Sequence, residues 1–195
     1  MGFTLYELMM TVAIVALILA FGIPNLREFA LNSRMTSTAN DLQTAFTLAR
    51  TEAARAKSNV TICASADPMG TADCGGAWDQ GYIVFVDERE PYGFRDGEPI
   101  LRAHPPAASG VMFRVADDAT YFMYAPSGLG QRIGEDVPLS QVVICDERGN
   151  VTAAGGNSAA RLFIVTPLGR AAIVRDTASI ESALNAPEMM GATCP

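Results

Sequence analysis

One carboxylate interrupts an otherwise apolar run at the start of the chain. Phe3 to Ile23 supplies about the 20 residues that a helix needs to cross a bilayer, and Glu7 is the one charged side chain within it. A carboxylate is costly inside a membrane, so residues of this kind usually have a function and a partner. If the chain were cut between Gly2 and Phe3, the new amino group of Phe3 would lie one helical turn before Glu7. That amine could meet the Glu7 carboxylate of its own or of a neighbouring subunit.

The apolar run is the first part of a longer predicted helix. Beyond it, apolar residues recur at steps of three and four, while the charged residues fall elsewhere. The members of this stripe are Leu31, Met35, Ala39, Leu42, Phe46, Ala49 and Ala53. A helix over residues 3–58 would be roughly 80 Å long. Pro24 and Gly22 predict a kink or local melting at residues 20–25.

From Val60 onward the apolar period changes to that of β-strands. Turn-forming residues separate the predicted strands, which cover residues 60–63, 82–86, 100–103, 111–115, 121–124, 142–145, 162–166 and 171–174. The sequence therefore predicts an α+β protein. Its long N-terminal α-helix, transmembrane in the first half, packs on a mainly antiparallel β head that buries the lower stripe.

Composition limits the classes of function. Of the 195 residues, about 135 follow the helix, which is enough for one domain with its own core. The net charge of −7 and the pI near 4.7 argue against a surface built as a whole to hold nucleic acid. Four cysteines behind a membrane segment indicate an oxidising compartment such as the periplasm, and two disulfides.

Four cysteines allow three disulfide connectivities, and the local pattern favours one of them. Cys63 ends the first predicted strand, and Cys74 closes a loop that contains proline and glycine. Cys194 belongs to a tail, residues 187–195, that has little apolar content, and a bond to Cys145 would hold this tail on the sheet. We predict the pairs Cys63–Cys74 and Cys145–Cys194.

No catalytic constellation is visible, and we expect neither an enzyme nor a cofactor or metal site. The single histidine, His104, precedes two prolines and fits no Ser–His–acid set. The acidic residues at 87–90 and 96–98 lack the alternating ligands of an EF-hand and predict a solvated loop. The cysteines lack the short C-x-x-C spacing that a compact zinc site prefers. Trp78 opens a strand and is expected to pack in the core or a turn.

The segment Gly2 to Met9, GFTLYELM, resembles the cleavage and methylation signal of type IV pilins and pseudopilins, G-F-T-L-x-E-L. The resemblance implies that a membrane-embedded prepilin peptidase cuts after Gly2 and N-methylates Phe3, and that Glu7 assists docking into a growing filament. Family leaders carry Lys or Arg, whereas Met1-Gly2 carries no basic side chain, so we expect a clipped leader or a misplaced start. The alternatives are an uncleaved signal anchor or a secretory signal peptide. The latter fits poorly, because no small-x-small site follows the run.

Three further stretches resemble one branch of that family, the GspH/FimT/FimU group. It joins the H-type minor pseudopilins of type II secretion with the FimT/FimU-type minor pilins. The stretches are residues 60–63, Cys74 with residues 78–87, and residues 166–170. The resemblance implies a type IV pilin-like fold with four parts: a residual leader at 1–2, a transmembrane assembly helix at 3–24, its amphipathic continuation at 25–58 and the head at 59–195.

A late Gly169-Arg170 pair needs separate consideration, because some FimT-type members bind DNA during natural transformation through a Gly-Arg-x-Arg motif. Here the motif is broken: Ala172 stands in place of the second arginine, and the next one is Arg175. Arg161, Arg170 and Arg175 are the candidate DNA contacts, but phosphate binding generally needs several clustered cations. A solvated hairpin that tolerates arginine is the alternative.

By resemblance, the expected function is that of a minor pilin that primes type IV pilus assembly within a minor-pilin complex. The alternatives are an H-type minor pseudopilin of a type II secretion system and a DNA-binding minor pilin for natural transformation. The expected partners are other minor pilins, the major pilin, the prepilin peptidase and the inner membrane. Before assembly the head would lie in the periplasm behind a single inner-membrane helix, and afterwards in a pilus or a periplasmic pseudopilus.

Overall fold

The computed structural model describes residues 2–87, 94, 97–153, 155–189 and 194, apart from the side chain at position 24. The helices are α1 (Leu5–Ala56) and α2 (Thr177–Leu184). The strands are β1 (Asn59–Ala64), β2 (Tyr82–Asp87), β3 (Ile100–His104), β4 (Met112–Val115), β5 (Tyr121–Tyr124), β6 (Gly130–Gln131), β7 (Gln141–Cys145), β8 (Arg161–Val165) and β9 (Ala171–Val174). Short 3₁₀ helices cover Trp78–Gln80, Ala116–Asp118 and Pro187–Met189.

Every strand predicted from the sequence is present, and the α+β class is confirmed. One strand and one α-helix were not predicted, namely β6 and α2. β6 has two residues, which is too short to show a period. α2 has eight residues and starts behind Asp176, whose carboxylate accepts a hydrogen bond from the Ser179 N–H at 2.8 Å. This N-cap supplies a helix start that the apolar pattern alone did not indicate.

Of the kink or local melting predicted at residues 20–25, the melting does not occur, because α1 is helical from Leu5 to Ala56 without a break. The kink stays a prediction. A proline removes one donor from the helical hydrogen-bond ladder, and the donors of the neighbouring turns stay in place. The Asn25 side-chain amide also donates to the Phe21 carbonyl at 2.8 Å in this turn. The helix of the isolated chain therefore tolerates the missing donor.

The chain divides into two compact units, residues 1–34 and 35–195. The first unit contains the apolar part of α1. The second contains the rest of α1 and all the described strands.

The strands of the second unit form two antiparallel sheets. One has the order β3-β2-β1-β5-β6 and the other the order β4-β7-β8-β9. Every pair of neighbouring strands runs antiparallel, which agrees with the mainly antiparallel head predicted from the sequence.

The second half of α1 supplies the middle of the core. From Met35 to Ala53, each member of the predicted stripe is at most 1% exposed. The ring of Phe46 contacts Phe122 and Tyr124 of the first sheet, with centroids 5.5 and 6.3 Å away, and Phe163 of the second sheet at 4.8 Å. Because one helical side chain touches both sheets, the helix closes the inner face of each. The predicted packing of this part of the helix on the head is confirmed.

Two disulfides tie irregular segments to the sheets. The structure brings together both predicted pairs, with Cα atoms 5.6 Å apart for Cys63–Cys74 and 6.0 Å apart for Cys145–Cys194. The first closes the loop that follows β1. The second joins residue 194 to β7, beyond α2.

We expect Cys194→Ser to lower the melting temperature more than Cys74→Ser does. Loop-closure entropy grows with the sequence separation, which is 49 residues for the second bond and 11 for the first. The corresponding stabilisations are about 4 and about 3 kcal/mol. Each variant leaves a buried partner thiol, Cys145 or Cys63, so the two are matched. Thermal unfolding of the oxidised full chain measures the difference.

A larger loss in Cys74→Ser would contradict this ranking. A Cys63–Cys145 or Cys63–Cys194 peptide in a non-reducing peptide map would refute the pairing itself.

Candidate functional site

The first unit presents an apolar helical surface that no other described residue covers. The exposed fraction is 90% for Phe3, 72% for Phe21 and 67% for Leu26. An 18-residue window of α1 has a mean hydropathy of 2.2, and none of it is buried. Within the described part of the chain, this one helix is long and apolar enough to cross a membrane. A contiguous exposed apolar surface of this kind marks a membrane or protein contact.

Thr4 and Glu7 close the first turn of α1 as a capping box. Glu7 Oε2 accepts hydrogen bonds from the Thr4 backbone N–H at 2.9 Å and from the Thr4 hydroxyl at 2.8 Å. In return, the Glu7 N–H donates to the Thr4 hydroxyl oxygen at 3.2 Å. The pair satisfies backbone donors that a helix N-terminus otherwise leaves without partners. The Thr-x-x-Glu spacing is visible in the sequence, although the partner expected for Glu7 was an amine.

The capping box leaves part of the Glu7 carboxylate accessible. Among the described residues, every hydrogen bond to this carboxylate engages Oε2, so Oε1 can accept another donor. A chain cut after Gly2 would place the Phe3 ammonium group directly before the Thr4 amide that Glu7 already binds. The partial positive charge of the helix N-terminus also favours a carboxylate there. The geometry holds Glu7 at the helix start, beside the predicted cleavage position.

Arg161, the first of the three predicted DNA-contacting arginines, is buried. It begins β8 and is 4% exposed. Its Nη1 donates to the carbonyls of residues 158–160 at 2.6 to 3.1 Å, and its Nη2 donates to the Thr36 hydroxyl of α1 at 3.3 Å. Burial, with a smaller effect of nearby Arg175, lowers the pKa of Arg161. This guanidinium stabilises the turn before β8 and has no exposed face with which to meet a phosphate.

Arg170 and Arg175 are exposed, and their backbones belong to different turns. The Arg170 carbonyl accepts from the Thr166 N–H at 3.0 Å and closes the turn between β8 and β9. The Arg175 carbonyl accepts from the Ser158 N–H at 2.8 Å, just before α2 begins. The predicted set of three cations is therefore reduced to two on the surface.

Two acidic residues that were assigned to a solvated loop are buried. Asp87 ends β2 with no exposed surface and accepts a hydrogen bond from the Thr61 hydroxyl at 3.0 Å, and Glu98 is 6% exposed. Solvation was the wrong expectation for both. Asp87 is covered because β2 lies between β1 and β3 within the sheet, and Glu98 is buried just before β3 begins. Residues 88–90 and 96 of that prediction lie outside the described residues. In the described ranges, no group of three or more His, Cys, Asp or Glu could hold a metal ion.

His104 and Trp78 both connect separate elements of the head. The His104 ring stacks on Tyr82 with centroids 4.6 Å apart, and its Nε2 lies 3.7 Å from Asp41 Oδ2 on α1. Burial raises the pKa of Tyr82 above its usual value. Trp78 is 3% exposed, and its indole N–H donates to the Ala119 carbonyl at 2.8 Å. These contacts indicate that both rings have a structural role in the packing of the head.

The family model described as "Type II transport protein GspH" matches residues 38–169, about two thirds of the chain. The matched region begins in the buried half of α1 and ends in the turn between β8 and β9. No curated protein sequence matches the chain.

Two kinds of solved structure are similar to this chain. One is the type IV minor pilin FimU of Pseudomonas aeruginosa, at 18% identity, covering 77% of this chain and 94% of that one, with a TM-score of 0.47. A second crystal form of FimU gives 17% identity, 73% and 94% coverage and a TM-score of 0.47. The other is the minor pseudopilin EpsH from the type 2 secretion system of Vibrio cholerae, at 9% identity, 73% and 97% coverage and a TM-score of 0.46.

We expect Arg161→Gln to lower the free energy of unfolding by about 1–3 kcal/mol, because it leaves the buried carbonyls of residues 158–160 without their donor. Arg170→Gln is the matched control, since Arg170 is exposed. It should change stability by less than about 0.5 kcal/mol. Urea unfolding of the full chain in detergent micelles, followed by near-ultraviolet circular dichroism, measures both. Equal stabilities of the two variants would contradict the structural role of Arg161.

Proposed function

Since the chain belongs to the GspH family, we propose that it is a minor pilin whose N-terminal helix stores it in a membrane until it assembles with related subunits into a filament. One observation carries the proposal. The first unit exposes an apolar helix, and Glu7, the only charge between Phe3 and Ile23, is held in a capping box at the first turn. A subunit that works by assembly needs such a surface and needs no catalytic site.

In our proposal, Glu7 acts twice. Before assembly its carboxylate caps its own helix through Thr4. During assembly, Oε1 accepts a hydrogen bond from the ammonium group of Phe3 after cleavage, in the same or a neighbouring subunit. The ion pair removes a net charge from an apolar surrounding, where an isolated carboxylate is costly. The prepilin peptidase and the inner membrane are the partners of this stage.

Within the pilin class, we propose that this subunit primes a type IV pilus as part of a minor-pilin complex, together with other minor pilins and the major pilin. The stretches at residues 60–63, Cys74 with 78–87, and 166–170 resemble the GspH/FimT/FimU group as a whole, whose FimU-type members are minor pilins, and support this role at the level of sequence. The head would lie in the periplasm before assembly and on the pilus afterwards.

A minor pseudopilin of a type II secretion system is the second candidate, and the description of the matched family favours it. Gene neighbours discriminate the two, since minor pilin genes would accompany the first and secretion genes the second. Deletion of the gene gives the functional test. Loss of surface pili with normal enzyme secretion supports pilus priming, whereas the reverse supports the secretion system.

DNA uptake is the third candidate from the sequence. One of the three arginines predicted to contact DNA, Arg161, is buried. A gel shift of a DNA duplex by the full chain in detergent tests it directly.

We expect Glu7→Val and Glu7→Gln to be inserted and processed normally but poorly recovered in sheared filaments. Valine removes both the cap and the charge, whereas the glutamine amide can still accept from Thr4 and removes the charge alone. Thr11→Val is the matched control in the same segment, because among the described residues the Thr11 hydroxyl donates to the Leu8 carbonyl of its own helix. Immunoblots of membrane and filament fractions measure the distribution.

Normal incorporation of Glu7→Gln would show that the cap matters and the charge does not. Normal incorporation of Glu7→Val would refute both roles.

We expect Gly2→Ala to impair maturation, because the resemblance implies a peptidase that needs a small residue before the cut. Neither Gly2 nor Gly22 has any heavy atom within 4 Å of an added Cβ, so neither change disturbs the described fold. Gly22→Ala is thus the matched control. Mass spectrometry of the native chain with its leader should show an N-methylated Phe3 in the wild type and in Gly22→Ala. An intact leader in the wild type would rule out the predicted processing.

A further inference from the structure

A small pocket lies between α1 and the turn that joins β8 to β9. Its volume is about 200 Å³. The buried rings of Phe46 and Tyr124 line it. Its charged lining residues are Arg50 of α1 and Arg170 of the turn, beside the hydroxyl groups of Thr47 and Thr51. We call it the Arg50–Arg170 pocket.

Arg50 is held in place at this pocket. Its side chain is partly buried, and Nη2 donates to the Leu168 carbonyl at 3.3 Å. It also lies over Gly128, where an added Cβ would stand 3.3 Å from Arg50 Nε. Gly128 and Leu168 belong to two turns that touch through the hydrogen bond from the Gly130 N–H to the Pro167 carbonyl, at 2.8 Å. An arginine ordered in this way loses little further freedom when it binds a ligand.

The pocket carries positive charge without a described counter-ion. No carboxylate lines it, and among the described residues neither Arg50 nor Arg170 forms a salt bridge, in a chain with a net charge of −7. The one described hydrogen bond of the Arg50 guanidinium leaves most of its five donors available. The Tyr124 hydroxyl does not neutralise the site, because it donates to the Gly169 carbonyl at 3.2 Å and burial raises its pKa to about 12.

We propose that the Arg50–Arg170 pocket binds a carboxylate side chain on the head of a neighbouring filament subunit, an inference that rests on the proposed function. Its volume suits a single carboxyl group and is smaller than a typical small-molecule site. Two guanidinium groups match the planar, bidentate geometry of a carboxylate. The contact would add an ionic link between heads, separate from the contacts of the apolar helices.

The surroundings of the pocket favour a protein carboxylate over a nucleic-acid phosphate. The two turns beside it expose Leu129 at 45% and Leu168 at 64%, so apolar surface adjoins the two arginines, and arginine is a residue enriched at protein interfaces. DNA binding draws on many clustered cations, whereas this pocket has two and Arg161 is buried away from solvent.

The test uses the full chain in nonionic detergent micelles, with ¹⁵N-labelled arginine. The side-chain N–H resonances of Arg50 and Arg170 are followed during titration with a blocked Leu-Glu-Leu tripeptide and with its Leu-Gln-Leu counterpart. We expect the glutamate peptide to shift both resonances in a saturable manner, with at least tenfold weaker binding of the glutamine peptide.

Arg50→Gln and Arg170→Gln should each weaken binding of the glutamate peptide at least tenfold. Arg170 is exposed, so its variant tests the pocket without disturbing the core. Arg55→Gln is the matched control, because Arg55 is already paired with Glu52 at 2.6 Å and should leave binding unchanged.

Three results would overturn the proposal. The first is the absence of any shift, and the second is an equal response to both peptides. The third is a shift of the same resonances by a single-stranded DNA oligonucleotide at a concentration tenfold lower than that of the glutamate peptide. That result would make the pocket a phosphate site.

A cellular arm separates this inference from the function on which it rests. Arg170→Glu should be inserted and processed normally while its recovery in filaments falls severalfold. If the peptide binds but deletion of the gene leaves pili and secretion normal, the proposed function is refuted and carboxylate binding by the pocket stands. Failure of peptide binding, with Glu7→Gln lost from filaments as expected, would refute the pocket alone.

Discussion

The burial of one face of α1 against two sheets is the constraint on which the head depends. Phe46 contacts aromatic rings from both sheets, and Ala39, Ala45 and Ala49 of the same helix are buried in the same cluster. Close-packed interiors tolerate few voids, so these positions cannot be emptied without loss of packing contacts. One helix therefore combines two tasks. Residues before 35 carry an exposed apolar surface, and residues from 35 onward are part of a folding core.

The sequence predicted those elements whose apolar period extends over several residues. The strands and the buried stripe of α1 are of this kind, because the position of each side chain in the repeat determines which face of the element it lies on. β6 escaped prediction because two residues cannot show alternation. The burial of Asp87 depends on β2 lying between two other strands. The order of strands in a sheet cannot be predicted from the pattern of neighbouring residues. Near Pro24 the sequence predicted a kink or local melting, and the melting is absent because one missing donor does not end a helix of 52 residues.

The functional residues divide in the same way. Glu7 was conspicuous because a single charge in an apolar run is a local feature, and its Thr4 partner is encoded three residues away. Arg161 was a candidate DNA contact in the sequence, and its burial could not be foreseen because one of its partners, Thr36, lies 125 residues earlier. Arg50 looked like one more charge on the polar side of a helix. Its setting is created by turns around Gly128 and Leu168, and only the folded chain brings these together.

The indole of Trp78 can serve as an intrinsic fluorescent probe of the folding of the head. It is the single tryptophan of the chain, it is almost fully buried, and its N–H is bonded to the Ala119 carbonyl. Indole emission shifts to longer wavelength when the ring enters water, so fluorescence follows the opening of the head alone. The first unit contains no tryptophan and contributes nothing to that emission. The unfolding of the head can therefore be read optically while the apolar helix stays in lipid or detergent.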